Sequence, residues 1–167
     1  MAEIFLGDIM QPLDFVEVCT HMENVSTVMS TRVVTVEPDD SLETVKEIFS
    51  HTHFHQVLVI EYDRLVGMVS DRDLFKAISP YVGTAAEISR DRATLNKRVH
   101  QIMQRKLTTL EPDASLEEAA ELMTKNRVTC IPIIDPLQQV KGILSWRDIL
   151  SALIKTRSKS SDPVDTE

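Results

Sequence analysis

Glycine is scarce in this sequence, and its spacing excludes the common phosphate-binding loops. The 167 residues contain only Gly7, Gly67, Gly83 and Gly142. No two of them are close enough for the G-x-G-x-x-G loop of dinucleotide-binding enzymes or the G-x-x-x-x-G-K-[ST] loop of NTPases. The G-x-S-x-G turn of the α/β-hydrolases is also missing. The sequence therefore excludes these three enzyme classes.

Cysteine and long apolar runs are lacking as well. Cys19 and Cys130 are far apart and form no C-x-x-C pair, which argues against a disulfide framework and a thiolate zinc site. No apolar run approaches the roughly 20 residues that span a bilayer, and the N-terminus lacks the pattern of a signal peptide. A net charge of −8 argues against a nucleic-acid or anionic-membrane partner. We expect a globular protein of the cytoplasm.

An internal repeat is the main positive feature of the sequence. The triplets Glu-Pro-Asp and Ser-Leu-Glu begin at Glu37 and Ser41, and both recur 74 residues later at Glu111 and Ser115. The run G-h-h-S-x-R-D, in which h is apolar, begins at position 67 and again at position 142. Identities that keep one register over most of each copy are not explained by chance. The chain therefore contains two copies of one unit.

Each copy predicts the element order β-α-β-β-α, which makes the fold class α/β. Apolar residues at helical spacing follow Ser41 and Ser115. Short apolar runs bounded by turns indicate strands that are buried on both faces. The predicted strands are 33–36, 57–60 and 65–69 in the first copy and 107–110, 131–134 and 140–144 in the second. The last helix of each copy is expected to start at about 71 and about 146.

The boundaries follow from the repeat and from composition. We expect an N-terminal extension over 1–23, the first repeat over 24–79, a polar linker over 80–97 and the second repeat over 98–155. The segment 156–167 is rich in serine, lysine and aspartate and is expected to be a disordered tail. The extension has no counterpart between the two copies.

With its duplicated strand-to-helix motif G-h-h-S-x-x-D, the chain resembles a pair of cystathionine-β-synthase (CBS) domains, a Bateman module. The resemblance covers residues 24–155. It implies two repeats that pack about a pseudo-twofold axis and leave two clefts between them. It further implies that these clefts bind an adenosine-containing ligand: AMP, ADP, ATP or S-adenosylmethionine. The chain is similar to the stand-alone members, because its length leaves no room for an attached catalytic domain.

Ser70 with Asp73, and Ser145 with Asp148, form the S-x-x-D part of this motif. From the residues alone, a helix cap is the more common role, since the serine oxygen accepts a helix N–H and the aspartate suits the positive helix end. A carboxylate can also accept hydrogen bonds from both hydroxyls of a ribose. The resemblance implies this second role for both aspartates, and the serines can serve both roles.

Arg72 and Arg147 stand in the first turn of those helices, where a cation opposes the helix dipole. Because this unfavourable choice is made twice, we interpret both as phosphate contacts. The resemblance implies a phosphate-facing role for His55 and minor ligand contacts for Thr35 and Thr109. It also implies an apolar purine slot, although core packing is the more common role for each residue taken singly. The slot residues are Val33, Val57 and Met68 in the first copy and Leu107, Ile131 and Ile143 in the second.

His51, His53 and His55 form an H-x-H-x-H pattern, which on a strand could ligate a metal. Their counterparts in the second copy include two cations and no metal ligand, so no metal site is expected. Trp146 stands where the first copy has Asp71. It fits either a cleft wall or a dimer contact.

The leading hypothesis is a non-enzymatic sensor without catalytic residues. Its adenosine-containing molecule would be a regulatory ligand, not a prosthetic group, and the protein that it regulates is unknown. A structural or protein-interaction module with degenerate clefts is the alternative. A metal-dependent hydrolase is a third possibility, which the missing carboxylate cluster disfavours.

A homodimer is expected, because apolar residues cover more of the last helix of each copy than one packing face requires. The apolar residues within positions 4–10 are an alternative cover for them. The helix residues are Leu74, Phe75, Ala77 and Ile78 in the first copy and Ile149, Leu150, Ala152, Leu153 and Ile154 in the second.

Overall fold

The computed structural model describes residues 24–52 and 54–159, with side chains described as far as position 155. The first repeat contains α1 (Val25–Val28), β1 (Thr35–Val36), α2 (Leu42–His51), β2 (Gln56–Glu61), β3 (Arg64–Ser70) and α3 (Asp71–Ala77). The second contains α5 (Leu116–Asn126), β4 (Cys130–Ile134), β5 (Val140–Ser145) and α6 (Trp146–Lys159). Between them lie α4 (Ser89–Arg92) and two short 3-10 helices, Ala93–Asn96 and Val99–Gln101. The α/β fold class is confirmed, and the order α-β-β-α recurs in both repeats, whereas the predicted first strand forms only in the first.

The first strand of each repeat is shorter than predicted. Residues 35–36 alone form β1, which pairs with β2 in parallel. The predicted strand 107–110 is reduced to a single bridge between Leu110 and Ile133. The reason is that the residues just upstream pack elsewhere: Val33 and Leu107 both lie against the apolar cluster between the repeats. Pairing can therefore begin only a residue or two before the Glu-Pro-Asp turn.

The central strands are buried on both faces, as predicted. In β2, Val57 and Val59 belong to the core of the first repeat, together with Leu42 of α2. The residue between them, Leu58, points to the opposite face and packs with Met68. This alternation follows from the two-residue period of a strand. One face of the sheet thus packs in the core of its own repeat, and the other forms the contact between the repeats.

The two repeats exchange the short segments that precede their first strands. Val25 and Met29 pack into the core of the second repeat, and Val99 and Met103 pack into the core of the first. Ser30 bridges Ile143 and Gln104 bridges Met68, in an arrangement that the repeat in the sequence does not reveal. The exchange ties the repeats to each other more firmly than sheet contact alone.

The connection between the repeats is more ordered than the polar linker predicted over 80–97. It carries α4, and Leu95 is buried. The Ser79 hydroxyl donates to Asp91 at 2.6 Å and the Ile88 N–H donates at 3.0 Å. These hydrogen bonds hold the pKa of the Asp91 carboxyl below its usual range. The side-chain contacts of the polar residues order this connection.

The C-terminal end of the chain also contains more regular structure than was predicted. The helix α6 continues to Lys159, into the segment that was expected to be disordered. The lysine and arginine residues there are good helix formers, which accounts for the extension. Residues 160–167 and the extension 1–23 lie outside the described residues. No helix in the described part of the chain is long and apolar enough to cross a bilayer.

Candidate ligand-binding cleft

The two S-x-x-D motifs have nearly identical geometry at the start of α3 and α6. The Ser70 N–H and hydroxyl donate to Oδ2 of Asp73 at 3.0 and 2.6 Å, and the Asp73 N–H donates back to the serine oxygen at 3.2 Å. The corresponding distances for Ser145 and Asp148 are 2.8, 2.6 and 3.3 Å. The helix-cap interpretation is therefore confirmed. Oδ1 of each aspartate accepts no hydrogen bond from any residue that the structure describes.

Both motifs line a cleft of about 770 Å³ between the repeats. Ten of the predicted site residues line this cleft. They are Asp73, Asp148, Ser70, Ser145, Arg72, Arg147, His55, Val33, Met68 and Ile143.

The remaining predicted residues lie elsewhere. Val57 and Ile131 are fully buried in the cores of their own repeats, because each occupies the strand position that faces away from the cleft. Leu107 packs between the repeats, and Thr35 is not among the residues that line the cleft. Thr109 lines a different depression of about 680 Å³, beside acidic residues and away from both motifs.

The cleft concentrates positive charge on a protein whose net charge is −8. Three carboxylates line it, those of Asp71, Asp73 and Asp148. None of its five lysine and arginine side chains forms an ion pair with a carboxylate of the described residues. An anion that enters the cleft therefore meets unpaired cations. These cations are Arg32, Arg72, Lys76, Arg127 and Arg147.

The residues beside the two motifs differ between the repeats. His55 Nδ1 lies 2.9 Å from Oδ2 of Asp71. In the second repeat, Trp146 replaces Asp71, lines the cleft and is 47% exposed. The Arg147 guanidinium carbon lies 5.6 Å from the centre of the Trp146 ring, within cation–π range. Trp146 is therefore a cleft wall, one of the two roles that its sequence position allowed.

Sequence reasoning missed several residues of the cleft. Arg32 could have been found, because its counterpart at the repeat spacing, Lys106, is also basic. Arg127 is the counterpart of His53, and the sequence assigned it no role in the cleft. It lies at the end of α5 with a positive φ of 53°, a conformation that glycine usually adopts there. Gln104, which donates to Asp73 at 3.1 Å, reaches the cleft only because the entering segments are exchanged.

Two of the three histidines of the H-x-H-x-H pattern are described, and they lie at different elements. His51 ends α2, where its Nδ1 lies 2.8 Å from the Glu47 carbonyl, and His55 stands just before β2. His53 lies outside the described residues. Within 24–52 and 54–159, no group of three His, Cys, Asp or Glu side chains could hold a metal ion.

The model of the CBS domain family matches this chain twice, over residues 25–80 and 99–155. The chain belongs to the CBS domain family. It contains a tandem pair of CBS domains, and the cleft lies between the two. The expected Bateman module is thereby confirmed.

Relatives of this CBS pair occur in bacteria and archaea. The CBS domain-containing protein YhcV of Bacillus subtilis is 29% identical over 140 residues, which cover 84% of this chain and 92% of YhcV. The uncharacterized protein MJ1225 of Methanocaldococcus jannaschii is 27% identical over 119 residues, 71% of this chain and 42% of that protein. This chain spans less than half the length of MJ1225 and of two further archaeal relatives.

Solved structures show the same fold. CBSX2 in complex with AMP superposes with a TM-score of 0.68 at 23% identity, covering 80% of this chain and 98% of CBSX2. The CBS domain pair of protein MJ0100, in complex with 5-methylthioadenosine and S-adenosyl-L-methionine, gives a TM-score of 0.65 at 21% identity, covering 81% and 98%. At these identities the likeness concerns the fold.

Proposed function

We propose that this CBS pair is a non-enzymatic sensor that binds an adenosine-containing ligand in the cleft between its repeats. The duplicated serine–aspartate geometry carries the proposal. In both motifs the serine fixes the carboxylate through Oδ2, which leaves Oδ1 as an acceptor for the hydroxyls of a ribose. Hydrogen bonds to a charged acceptor are the stronger kind.

The charge of the cleft supports a ligand that carries phosphate. Arg72 and Arg147 both line the cleft beside their aspartates, and planar guanidinium groups match phosphate oxygens. His55 lies in the same cleft and, when protonated, adds a further cation. The ligand would thus be held by carboxylates at its sugar and by cations at its phosphate.

The apolar part of the cleft suits a purine. Val33, Met68 and Ile143 line it and are buried or half-buried. We restrict the proposed base contacts to these three residues, because the other expected slot residues do not reach the cleft.

The ligands of two structural neighbours support the class of molecule. CBSX2 binds AMP, and the MJ0100 pair binds 5-methylthioadenosine and S-adenosyl-L-methionine. All three molecules share the adenosine unit that the aspartates and the apolar wall of this cleft suit. AMP, ADP, ATP and S-adenosylmethionine are therefore the candidate ligands.

The proposed output is a change in the contact with a regulated protein. The cleft lies between the repeats, so a ligand in it touches both and can bias their relative arrangement by its differential affinity for two states. The exposed apolar side chains of α3 and α6, Phe75 and Leu150, fit a contact with a second copy of the chain. We propose a homodimer through these helices.

Thermal unfolding of the full chain with each candidate ligand tests the proposal. A ligand at 100 times its dissociation constant should stabilise the folded protein by about 2.7 kcal/mol. We expect at least one of AMP, ADP, ATP and S-adenosylmethionine to raise the Tm, and guanosine and cytidine nucleotides to raise it less. If none of the adenosine ligands raised it, the module with degenerate clefts would be the better account.

A further inference from the structure

The two ends of the cleft have different chemistry, although the repeats share their motif. Lining residues can be grouped by the motif that they adjoin in sequence or through a backbone hydrogen bond. We call the residues around the first motif the first half: His55, Asp71, Arg72, Asp73 and Lys76. The residues around the second motif form the second half: Arg127, Trp146, Arg147 and Asp148.

Arg32 and Arg127 differ in their position relative to the two motifs. Ser30 and Ile143 exchange two backbone hydrogen bonds of 2.9 and 3.0 Å, which place the segment containing Arg32 along β5. The Trp146 N–H donates to the Thr129 carbonyl at 3.2 Å, so Arg127 is two residues from a direct contact with the second motif. Arg127 therefore belongs to the end of the cleft near the second motif, whereas Arg32 lies between the two ends, because the Leu58 N–H of β2 donates to the Val34 carbonyl two residues further on.

Charge separates the two halves. The second half has two arginines and one carboxylate, so its net charge is +1. The first half has two cations and two carboxylates, so it is neutral when His55 is neutral. Asp71 is adjacent to Arg72 in the chain, and its negative charge repels an incoming phosphate. A phosphorylated ligand therefore gains more in the second half.

The hydrogen bonds of Asp73 and Asp148 also differ between the two halves. Oδ2 of Asp73 accepts from the Gln104 side-chain amide, which draws charge from the carboxylate. The equivalent position in the other repeat is Ser30, and Asp148 receives bonds only from Ser145 among the described residues. Oδ1, the proposed ribose acceptor, is free of described donors in both aspartates, so among the described residues the two carboxylates differ only in the additional hydrogen bond to Oδ2 of Asp73.

Trp146 is the residue that most distinguishes the second half. It removes the negative charge that Asp71 brings to the first half, and its exposed ring offers a face on which a base can stack. Its other contact is with Arg147, at 5.6 Å. The ring restrains the Arg147 guanidinium next to the proposed position of the ligand phosphate.

We infer that the two halves bind unequally: the second half is the strong site for adenosine phosphates, and Trp146 is its specificity-determining residue. The inference rests on the proposed function and narrows its ligand class. Adenosine phosphates are preferred over S-adenosylmethionine, whose sulfonium is cationic and gains nothing from a net positive site.

Titration calorimetry of ADP into the full chain tests the inference with a matched pair of variants. Asp148→Asn and Asp73→Asn each remove one ribose carboxylate but keep an oxygen for the helix cap. We expect Asp148→Asn to abolish the strong binding step and Asp73→Asn to leave it. Equal losses in the two variants would overturn the inference and leave the proposed function intact. A wild type that binds no adenosine ligand would contradict the proposed function itself.

The role of Trp146 is tested by exchange with its counterpart. Trp146→Asp gives the second half the residue of the first, and we expect ADP affinity at the strong site to fall about tenfold or more. Affinity for uncharged adenosine should fall less. Trp146→Phe keeps a ring and should retain most of the binding. Trp146→Ala removes the ring without adding a charge and should weaken it, which covers the case in which the aspartate variant does not fold. If Trp146→Asp and Trp146→Ala left ADP affinity unchanged, Trp146 would not be the determinant.

Discussion

At the scale of single residues, one serine–aspartate pair serves as helix cap and as candidate ligand site at once. Oδ2 of Asp148 is bound by Ser145, and Oδ1 accepts nothing from the described residues. The two roles that the sequence left open for this motif are therefore compatible. The cap even supports binding, because it holds the carboxylate in one orientation before a ligand arrives.

The arginines beside the two aspartates should recognise phosphate and not the nucleoside. Replacing Arg72 and Arg147 together with alanine should weaken AMP binding far more than adenosine binding, because only AMP offers an anion to the guanidinium groups. Calorimetry with both ligands measures the ratio. Equal losses for AMP and adenosine would remove the phosphate assignment.

Cys130 should reduce the stability of the protein at alkaline pH. Burial between the repeats raises the pKa of its thiol from 9.0 to about 12. The unfolded chain then loses this proton at lower pH than the folded protein, so the free energy of unfolding falls as the pH rises from 9 towards 12. Below pH 9 the thiol is protonated in both states and the effect vanishes.

Urea unfolding at pH 8 and pH 10 measures this loss. Between these two values the wild type should lose about 1.4 kcal/mol more than Cys130→Ala, which removes the thiol but keeps every other titrating group. The same loss in both proteins would show that the thiol of Cys130 ionises normally.

At the scale of elements, the exchanged segments are the feature that most shapes the cleft. They bring Gln104 and Arg32 to it and bury Val25 and Val99 in the opposite repeat. The exchange requires the segment that contains Met29 and Ser30 to pass very close to β5. Gly142 permits this because it has no side chain at the crossing point.

Gly142→Ala should therefore destabilise the protein. The added Cβ would lie 2.6 Å from Met29 Sδ and 2.9 Å from the Ser30 carbonyl oxygen, and the backbone oxygen cannot move without breaking the bridge to β5. We expect a loss of about 1–3 kcal/mol. In Gly67→Ala the added Cβ would lie 3.1 Å from the nearest backbone atom, the Gln104 carbonyl oxygen. This substitution should therefore reduce the free energy of unfolding less.

Chemical denaturation of both variants measures the losses. Glu121→Ala, on the exposed side of α5, is the control and should stay within about 0.5 kcal/mol of the wild type. If Gly142→Ala were as stable as the Glu121→Ala control, the exchanged segment would not approach β5 this closely.

The sequence predicted the elements well and their assembly poorly. Strands such as 57–60 were visible because their apolar runs need burial on both faces. The loss of the strand 107–110 was not visible, since Leu107 packs against the other repeat and no local pattern records that contact. For the same reason the motif residues of the cleft were found, whereas Arg127 and Gln104, which tertiary structure brings in, were missed.

At the scale of the whole molecule, the exposed apolar residues of α3 and α6 predict a homodimer. Phe75 is 69% exposed and Leu150 is 47% exposed, and both stand on the outer side of the helix that follows the motif. Sedimentation should give a mass near twice 18.9 kDa, and Phe75→Glu with Leu150→Glu should give the monomer. A monomer at every concentration of the wild type would contradict the dimer and favour the extension 1–23 as the cover.

The central claim is that the two aspartates of the cleft hold the ribose of an adenosine-containing ligand. Titration calorimetry of the ligand that stabilises the wild type most, repeated on the double variant Asp73→Ala with Asp148→Ala, tests this most directly. Loss of both caps should cost about 1 kcal/mol each, so circular dichroism must first show that the variant is folded. The account predicts measurable binding to the wild type and none to the folded double variant. Unchanged affinity and stoichiometry in that variant would contradict it.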